Sequence, residues 1–319
     1  MLRQLLCLLS PAGDGARLSV LIFHRVRPER DPLFPDDPDA AAFEALLRRL
    51  TSWCNVLPLP EAVARLRRGT LPGRSLCITF DDGYADNCTV ALPILRRLGV
   101  SATFFIATGY QSGGCMWNDR VIEAVRAATG PHFDLSDLNL GVHAVGTVED
   151  RQRAIPNLLG ALKYRSPGER ERAADAIARR APAAHLRGLM MTREQVRELH
   201  ASGMTVGAHT VTHPILARMP DDLAREEIVE SKRALEGQLG VPVTAFAYPN
   251  GKPGRDYAAV HVAMVREAGF EAAVSTAWGV ASRTSDPLQI PRFTPWDRAP
   301  WRFGVRLAQN LRRTVYATA

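Results

Sequence analysis

Two short stretches of this chain hold residue types in spacings that could carry out hydrolysis. Residues 79–83 read TFDDG, two adjacent carboxylates and a glycine at the end of an apolar run. Residues 207–214 read GAHTVTHP, with His209 and His213 four apart, a spacing that sets both imidazoles on one side of a helical turn or tight loop. Two histidines and one carboxylate are the ligand set of a catalytic divalent metal site that keeps one position open for water. Each motif alone has a plainer reading. Asp82 or Asp86 could cap the helix that follows, and a single histidine is more often an ordinary core or surface group. An Asp pair at one strand end and a His pair at another together favour the metal.

Those motifs need elements to hold them, and the pattern around them supplies strands and helices in alternation. Residues 18–23 (LSVLIF), 75–80 (SLCITF) and 102–107 (ATFFIA) read as buried strands. Residues 43–50, 61–68 and 85–98 have helical spacing, and Gly99 stops the last of these. Strand, helix and strand with a glycine stop is a βαβ unit, which implies a parallel sheet. From residue 192 the rhythm resumes, with helices over 192–202, 220–239 and 256–268 and strands over 204–208, 243–247 and 270–275. Both motifs fall at the carboxyl ends of strands, where parallel α/β folds build their sites. Neighbouring side chains on a strand point to opposite faces, but a turn at the strand end lets both carboxylates converge.

Between about 112 and 187 the rhythm lapses. Residues 118–128 and 167–180 look helical and 131–146 irregular, so this stretch reads as a mainly helical insertion over one face of the sheet. The expected division is an N-terminal segment, 1–17, a domain over 18–300 with the insertion at 112–187, and a basic amphipathic C-terminal helix within 301–319.

Composition narrows the function classes. The chain has 319 residues and a net charge of +7, but the cations are nearly all arginines scattered among acids, the only lysines being Lys163, Lys232 and Lys252. Scattered charge of that kind is a solvated surface, so no nucleic-acid partner is expected. Five cysteines without a CxxC pair exclude a disulfide framework and favour a reducing compartment, the cytoplasm, with the cell envelope or membrane periphery as the alternative. Residues 1–10 (MLRQLLCLLS) are too short an apolar run to span a bilayer, and no longer run follows.

TFDDG together with HTVTH resembles the polysaccharide deacetylases of carbohydrate esterase family four, the NodB homology domain. The first strand, LIFHRV, is similar to the Tyr/Phe-His strand of the branch acting on exopolysaccharide and related surface glycans. The resemblance runs from about Ser19 to Phe293 and implies a distorted (β/α) barrel and metal-dependent removal of acetyl groups from sugars. Carried over by position, it implies Asp82, His209 and His213 as ligands of a divalent metal, most simply Zn2+, and Asp81 as the base. It further implies an oxyanion contact from the backbone N–H of Tyr84. A divalent metal lowers the pKa of a water and polarises the acetyl carbonyl, so an adjacent free carboxylate that takes the proton completes a coherent chemistry.

The sequence departs from the family pattern in two places. No Leu-x-His stands on a late strand; the first strand, however, ends in Leu21-Ile22-Phe23-His24, and a closed barrel can take its last strand from the other end of the chain. His24 is therefore assigned as the acid, against the plainer reading that it caps the strand or binds a carboxylate. Residues 247–251 (AYPNG) carry Ala247 where the family has an Arg that orients the base; Arg292 could supply that cation, or be a surface residue. Tyr248 and Asn250 are expected to line the groove, and Trp296 or Trp301 to stack on a sugar. The leading expectation is an N-deacetylase of hexosamine residues in a bacterial glycan. The alternatives are an O-deacetylase or cyclic amidohydrolase, and a catalytically silent glycan-binding subunit of a polysaccharide assembly system.

Overall fold

In the computed structural model, which describes residues 2–112, 114–181, 186, 188–295 and 300–319, the apolar runs are strands and the amphipathic stretches between them helices. In chain order the elements are α1 (Leu2–Leu9), β1 (Ser19–Phe23), α2 (Ala40–Trp53), β2 (Asn55–Val56), α3 (Leu59–Arg67), β3 (Ser75–Phe80), α4 (Leu92–Leu98) and β4 (Thr103–Ile106). There follow α5 (Trp117–Ala127), β5 (His132–Asp134), β6 (Val142–Ala144), α6 (Val148–Lys163), α7 (Pro167–Ala178) and α8 (Arg193–Ala201). The last are β7 (Thr205–Ala208), α9 (Asp221–Leu239), β8 (Ala245–Ala247), α10 (Ala259–Glu267), β9 (Ala272–Val274) and α11 (Pro300–Asn310).

Strands β1, β3, β4, β7, β8 and β9 lie side by side in that order, all parallel, and β2 pairs with the start of β3. Residues 290–293 close the curled sheet: Ile290 bridges to Val274 of β9, and Phe293 to Leu21 of β1. The Ser275 N–H donates to the Ile290 carbonyl at 2.9 Å and the Phe293 N–H to that of Val20 at 3.0 Å. The architecture is a distorted (β/α) barrel. Alternation along each strand divides its core in two. Leu21, Phe23, Ile78, Phe80, Phe104 and Phe246 pack with the outer helices, while Val20, Cys77, Phe105, Ala245, Ala247 and Val274 form a second cluster with α3. α3 touches both β3 and β9 and packs its apolar face into this second cluster.

Three sequence expectations need adjusting here. The stretch 131–146 holds an antiparallel hairpin, β5 with β6, and the mainly helical insertion includes a sixteen-residue helix, α6, over residues to which the pattern assigned no element. Pro156 and Gly160 interrupt the apolar series Ala154, Ile155, Leu158 and Leu162, and so mask its period. The capping box between Thr147 and Asp150 is the local signal that marks its start. Trp117, Val121, Phe133, Leu158 and Ile177 give the inserted elements a core of their own. The C-terminal helix, which the amphipathic pattern of residues 301–315 would carry further, ends at Asn310. No described helix is long and apolar enough to cross a membrane, and all five cysteines are unpaired.

Candidate active site

β3 delivers the two carboxylates and then turns sharply. Asp82 has φ +75° and Gly83 φ +90°, so consecutive residues take left-handed backbone that aspartate tolerates and glycine adopts freely. This turn is what brings both carboxylates to one side. The Asp81 N–H donates to the Phe23 carbonyl at 2.9 Å, which ties the end of β1 to the end of β3.

Arg292 reaches Asp81 from the closing segment. Its Nη1 and Nη2 each donate to one Asp81 oxygen at 2.7 Å, a bidentate fork. Its Nε donates to the Ser275 carbonyl at 2.9 Å and Nη1 also to Thr79 Oγ1 at 3.1 Å. The guanidinium is 1% exposed and lies 5.8 Å from the centre of the Phe105 ring, inside the barrel. Burial works against ionisation of Asp81, but the charge and fork of Arg292, together with the nearby His209 and His24, hold the carboxyl below its ordinary range. The cation expected from a motif arginine at 247 thus comes from 292. Ala247 contributes its carbonyl instead.

That carbonyl accepts a hydrogen bond from Nδ1–H of His209 at 2.7 Å, which turns Nε2 toward Asp82 and the cleft as the atom a metal would take. His209 Nε2 lies 3.5 Å from Asp82 Oδ1 and 4.0 Å from Asp81 Oδ2. His213 Nε2 lies 3.3 Å from Asp82 Oδ1. One ligand atom from each of Asp82, His209 and His213 falls within 4.8 Å of the others, which suits a divalent cation with N/O ligands. Burial lowers the His213 imidazole to about 4, so at neutral pH it offers a lone pair. The strand before His209 requires Gly207, where a Cβ would meet the Phe105 ring at 2.6 Å.

The loop between the histidines is held from outside. Thr210 and His213 both have positive φ, +63° and +55°, a strained path that needs external support. Glu227 of α9 provides it: the N–H groups of Val211 and Thr212 donate to its carboxylate at 2.7 and 2.8 Å, and Thr212 Oγ1 does so at 2.6 Å. From the sequence Glu227 looks like any solvated helix residue. Glu227→Ala is expected to weaken Zn2+ affinity by about tenfold with the fold retained, in line with the effect of losing partners that orient metal ligands. Calorimetric titration with Zn2+ checks this, and unchanged affinity would contradict it.

His24, Asp81, Asp82, His209, His213 and Asn250 line one cleft of about 460 Å³. His24 follows β1 directly, and its backbone carbonyl accepts from Asn87 Nδ2 at 2.9 Å. Asn87 belongs to a π-helical turn, Asn87–Ala91, within the stretch read as one regular helix. Asp86, just before it, binds Arg25 at 2.6 Å, so Asp86 and Asn87 together fasten the segment that carries His24. The Tyr84 side chain points away from the cleft, its hydroxyl donating to Asp119 at 2.9 Å and its ring 4.6 Å beneath the Arg25 guanidinium. Burial raises the Asp119 carboxyl to about 6. Tyr248 is a correction: it is wholly buried, its hydroxyl donates to the Leu288 carbonyl at 3.0 Å, and its ring stacks on Tyr257 at 3.8 Å, so it belongs to the core. Trp301 is exposed on α11 and does not line the cleft. Trp296 lies outside the described residues. Trp117 and Asn118 from α5 line the cleft without having been singled out.

A parallel (β/α) barrel with paired acids and paired histidines at its strand ends is an arrangement suited to metal-assisted hydrolysis. The family is established by comparison: the polysaccharide deacetylase model matches residues 68–133 and 169–273, and the chain belongs to that family. Deacetylases of this kind are metal-dependent hydrolases. The chain is 22% identical over 279 residues to YxkH of Bacillus subtilis (strain 168), which bears a polysaccharide deacetylase name; the match spans 87% of this chain and 71% of that one. It shares its fold with the Streptococcus pyogenes deacetylase PplD in complex with acetate, at a TM-score of 0.61 and 20% identity over 93% of this chain and 98% of that one. It also shares it with IcaB from Ammonifex degensii, at a TM-score of 0.59 and 20% identity over 94% and 98%. Residues 134–168, which include β6 and α6, fall between the two matched stretches.

Proposed function

We propose that this chain removes N-acetyl groups from hexosamine residues of a polysaccharide. The observation that carries the reading is the grouping of Asp82, His209 and His213 beside an Asp81 already paired with Arg292. Zn2+ held by Asp82, His209 and His213 would lower the pKa of a water and polarise the acetyl carbonyl.

Asp81 is kept as a carboxylate by Arg292 and takes a proton from the attacking water as its oxygen bonds to the acetyl carbon. The N–H of Tyr84 has no acceptor among the described residues, so it is free to donate to the oxyanion that forms. His24, protonated, gives its proton to the sugar nitrogen as the C–N bond breaks, and acetate and a free amine result. The exposed position of His24 on the cleft rim leaves it able to regain that proton from solvent.

Purified protein loaded with Zn2+ is expected to release acetate from an N-acetylhexosamine oligomer, and a chelator to stop the release. A panel of N-acetylated glycans that yields no acetate while the ion is shown to be bound would overturn the reading. His24→Ala is expected to lower kcat by about 100-fold or more with Zn2+ affinity unchanged, the usual range for loss of a general acid. Steady-state kinetics beside calorimetry checks it, and an unaltered kcat would remove His24 from the role.

A further inference from the structure

The inserted helices bring positive charge into the cleft that the hydrolysis does not use. Pro156, Leu159, Gly160 and Lys163 recur at i, i+3, i+4 and i+7, so one face of α6 forms a wall of the cleft. Arg170 of α7 lines the same wall. It is only 4% exposed, its guanidinium lies over the Trp117 ring at 5.1 Å, and its Nε is buried without a hydrogen-bond partner. The adjacent Glu171 is bound to Arg120 instead, and Arg170 makes no ion pair among the described residues.

A buried guanidinium with no ion-paired acid is costly, and open space rather than protein lies before this one. Arg170 lines the same cleft as Asp82, His209 and His213, so the space before it adjoins the metal ligands. Lys163 is half-buried and makes no ion pair among the described residues. Lys252 and Arg255 stand close enough to act on it, and Arg218 and Arg255 both lie against the ring of the next residue, Tyr164, at 5.5 and 4.4 Å. Asp256, the one acid acting on Lys163, has an oxygen accepting from the Lys252 N–H at 3.1 Å.

We infer that Arg170 and Lys163 form an anion subsite, and that the glycan deacetylated at this site carries an oxyanion, a carboxylate or a phosphate, on or beside the N-acetylated sugar. Arginine's planar fork suits either group. Lys163 and the α6 wall lie in residues 134–168, between the two stretches matched to the family, while Arg170 falls at the start of the second, so the α6 half of the subsite is what the unmatched segment adds. The inference rests on the deacetylase reading for its catalytic readout and not for its binding readout.

The test uses the Zn2+-loaded enzyme and three N-acetylhexosamine oligosaccharides of equal length: one neutral, one alternating with hexuronate, and one joined by phosphodiesters. In parallel, calorimetry measures binding of a hexuronate oligomer that has no acetyl group. At least one acidic substrate is expected to exceed the neutral one by about tenfold in kcat/KM, the effect of one charge-assisted contact, and the better of the two identifies the anion. Arg170→Gln and Lys163→Gln are each expected to bring that ratio toward one, mainly through KM, and to weaken hexuronate binding. Lys163→Gln alters a half-buried side chain and decides the matter if Arg170→Gln does not fold. Equal kcat/KM on all three substrates, with hexuronate binding indifferent to Lys163→Gln, overturns the subsite and leaves the deacetylase reading standing. No acetate from any substrate, with hexuronate binding that Lys163→Gln abolishes, overturns the deacetylase reading and leaves the subsite standing.

Discussion

Replacing Asp81 by Asn is expected to lower kcat for acetate release by about 1000-fold while Zn2+ still binds, because it removes the proton acceptor and spares Asp82, His209 and His213. The amide matches the carboxyl in shape but turns one N–H toward the Arg292 fork and cannot accept the water's proton. It also leaves the buried guanidinium without its counter-charge, so a fall in thermal stability should accompany the loss of rate. Rates are therefore to be measured well below the melting transition, with metal content determined on the same sample. Wild-type turnover in Asp81→Asn would remove Asp81 as the base. In the native enzyme Arg292 holds Asp81 below its ordinary range, so the acid limb of the kcat/KM profile due to this group should lie below about pH 4.

Replacing Arg292 by Met should be the most destabilising of the substitutions considered, by about 3–5 kcal/mol at neutral pH, since it strands the Asp81 carboxylate in the barrel interior. The pH dependence follows from the direction of the shift. With Arg292 present, the folded pKa of Asp81 is depressed, so the stability it contributes is present above the unfolded value of about 3.9 and is lost as pH falls through the folded pKa. Without Arg292, burial dominates and the folded pKa rises above the unfolded value. Protonation then favours the folded variant, and its deficit relative to the native protein should shrink as pH falls toward 4. Denaturant unfolding at pH 7 and pH 4 measures this, and a deficit independent of pH would show that Asp81 is not its source. The double substitution Arg292→Met, Asp81→Asn should recover part of the stability lost by either single change while remaining inactive, since the two side chains are in direct contact.

The motif residues were legible because their chemistry is local. TFDDG and HTVTH sit at strand ends that apolar runs already mark, and the left-handed turn at Asp82 and Gly83 is the physical means by which adjacent acids converge. The partner of Asp81 was harder to read, since Arg292 lies 211 residues away and reaches it only because residues 290–293 close the barrel between β9 and β1. Nothing local distinguishes Arg292 from the surface arginines. Glu227 escaped notice for the same reason: its place in α9 is ordinary, and its role depends on a loop folded over it. Tyr248 misled in the opposite direction. A tyrosine beside Pro-Asn-Gly suggests a groove, yet its hydroxyl found an internal acceptor at Leu288, which let the whole ring be buried. The wall formed by α6 was invisible as a helix because Pro156 and Gly160 break the pattern on the face that the cleft uses.

The most direct measurement is a titration of metal-free protein with Zn2+ in which bound ion and acetate release from an N-acetylhexosamine oligomer are followed together. Release should rise in proportion to occupancy and level off at about one ion per chain, as a single three-ligand site requires. His209→Ala and His213→Ala should remove both the bound ion and the activity. Acetate release that persists in chelator-treated protein, or an ion that still binds with native affinity in both variants, would contradict hydrolysis at Asp82, His209 and His213.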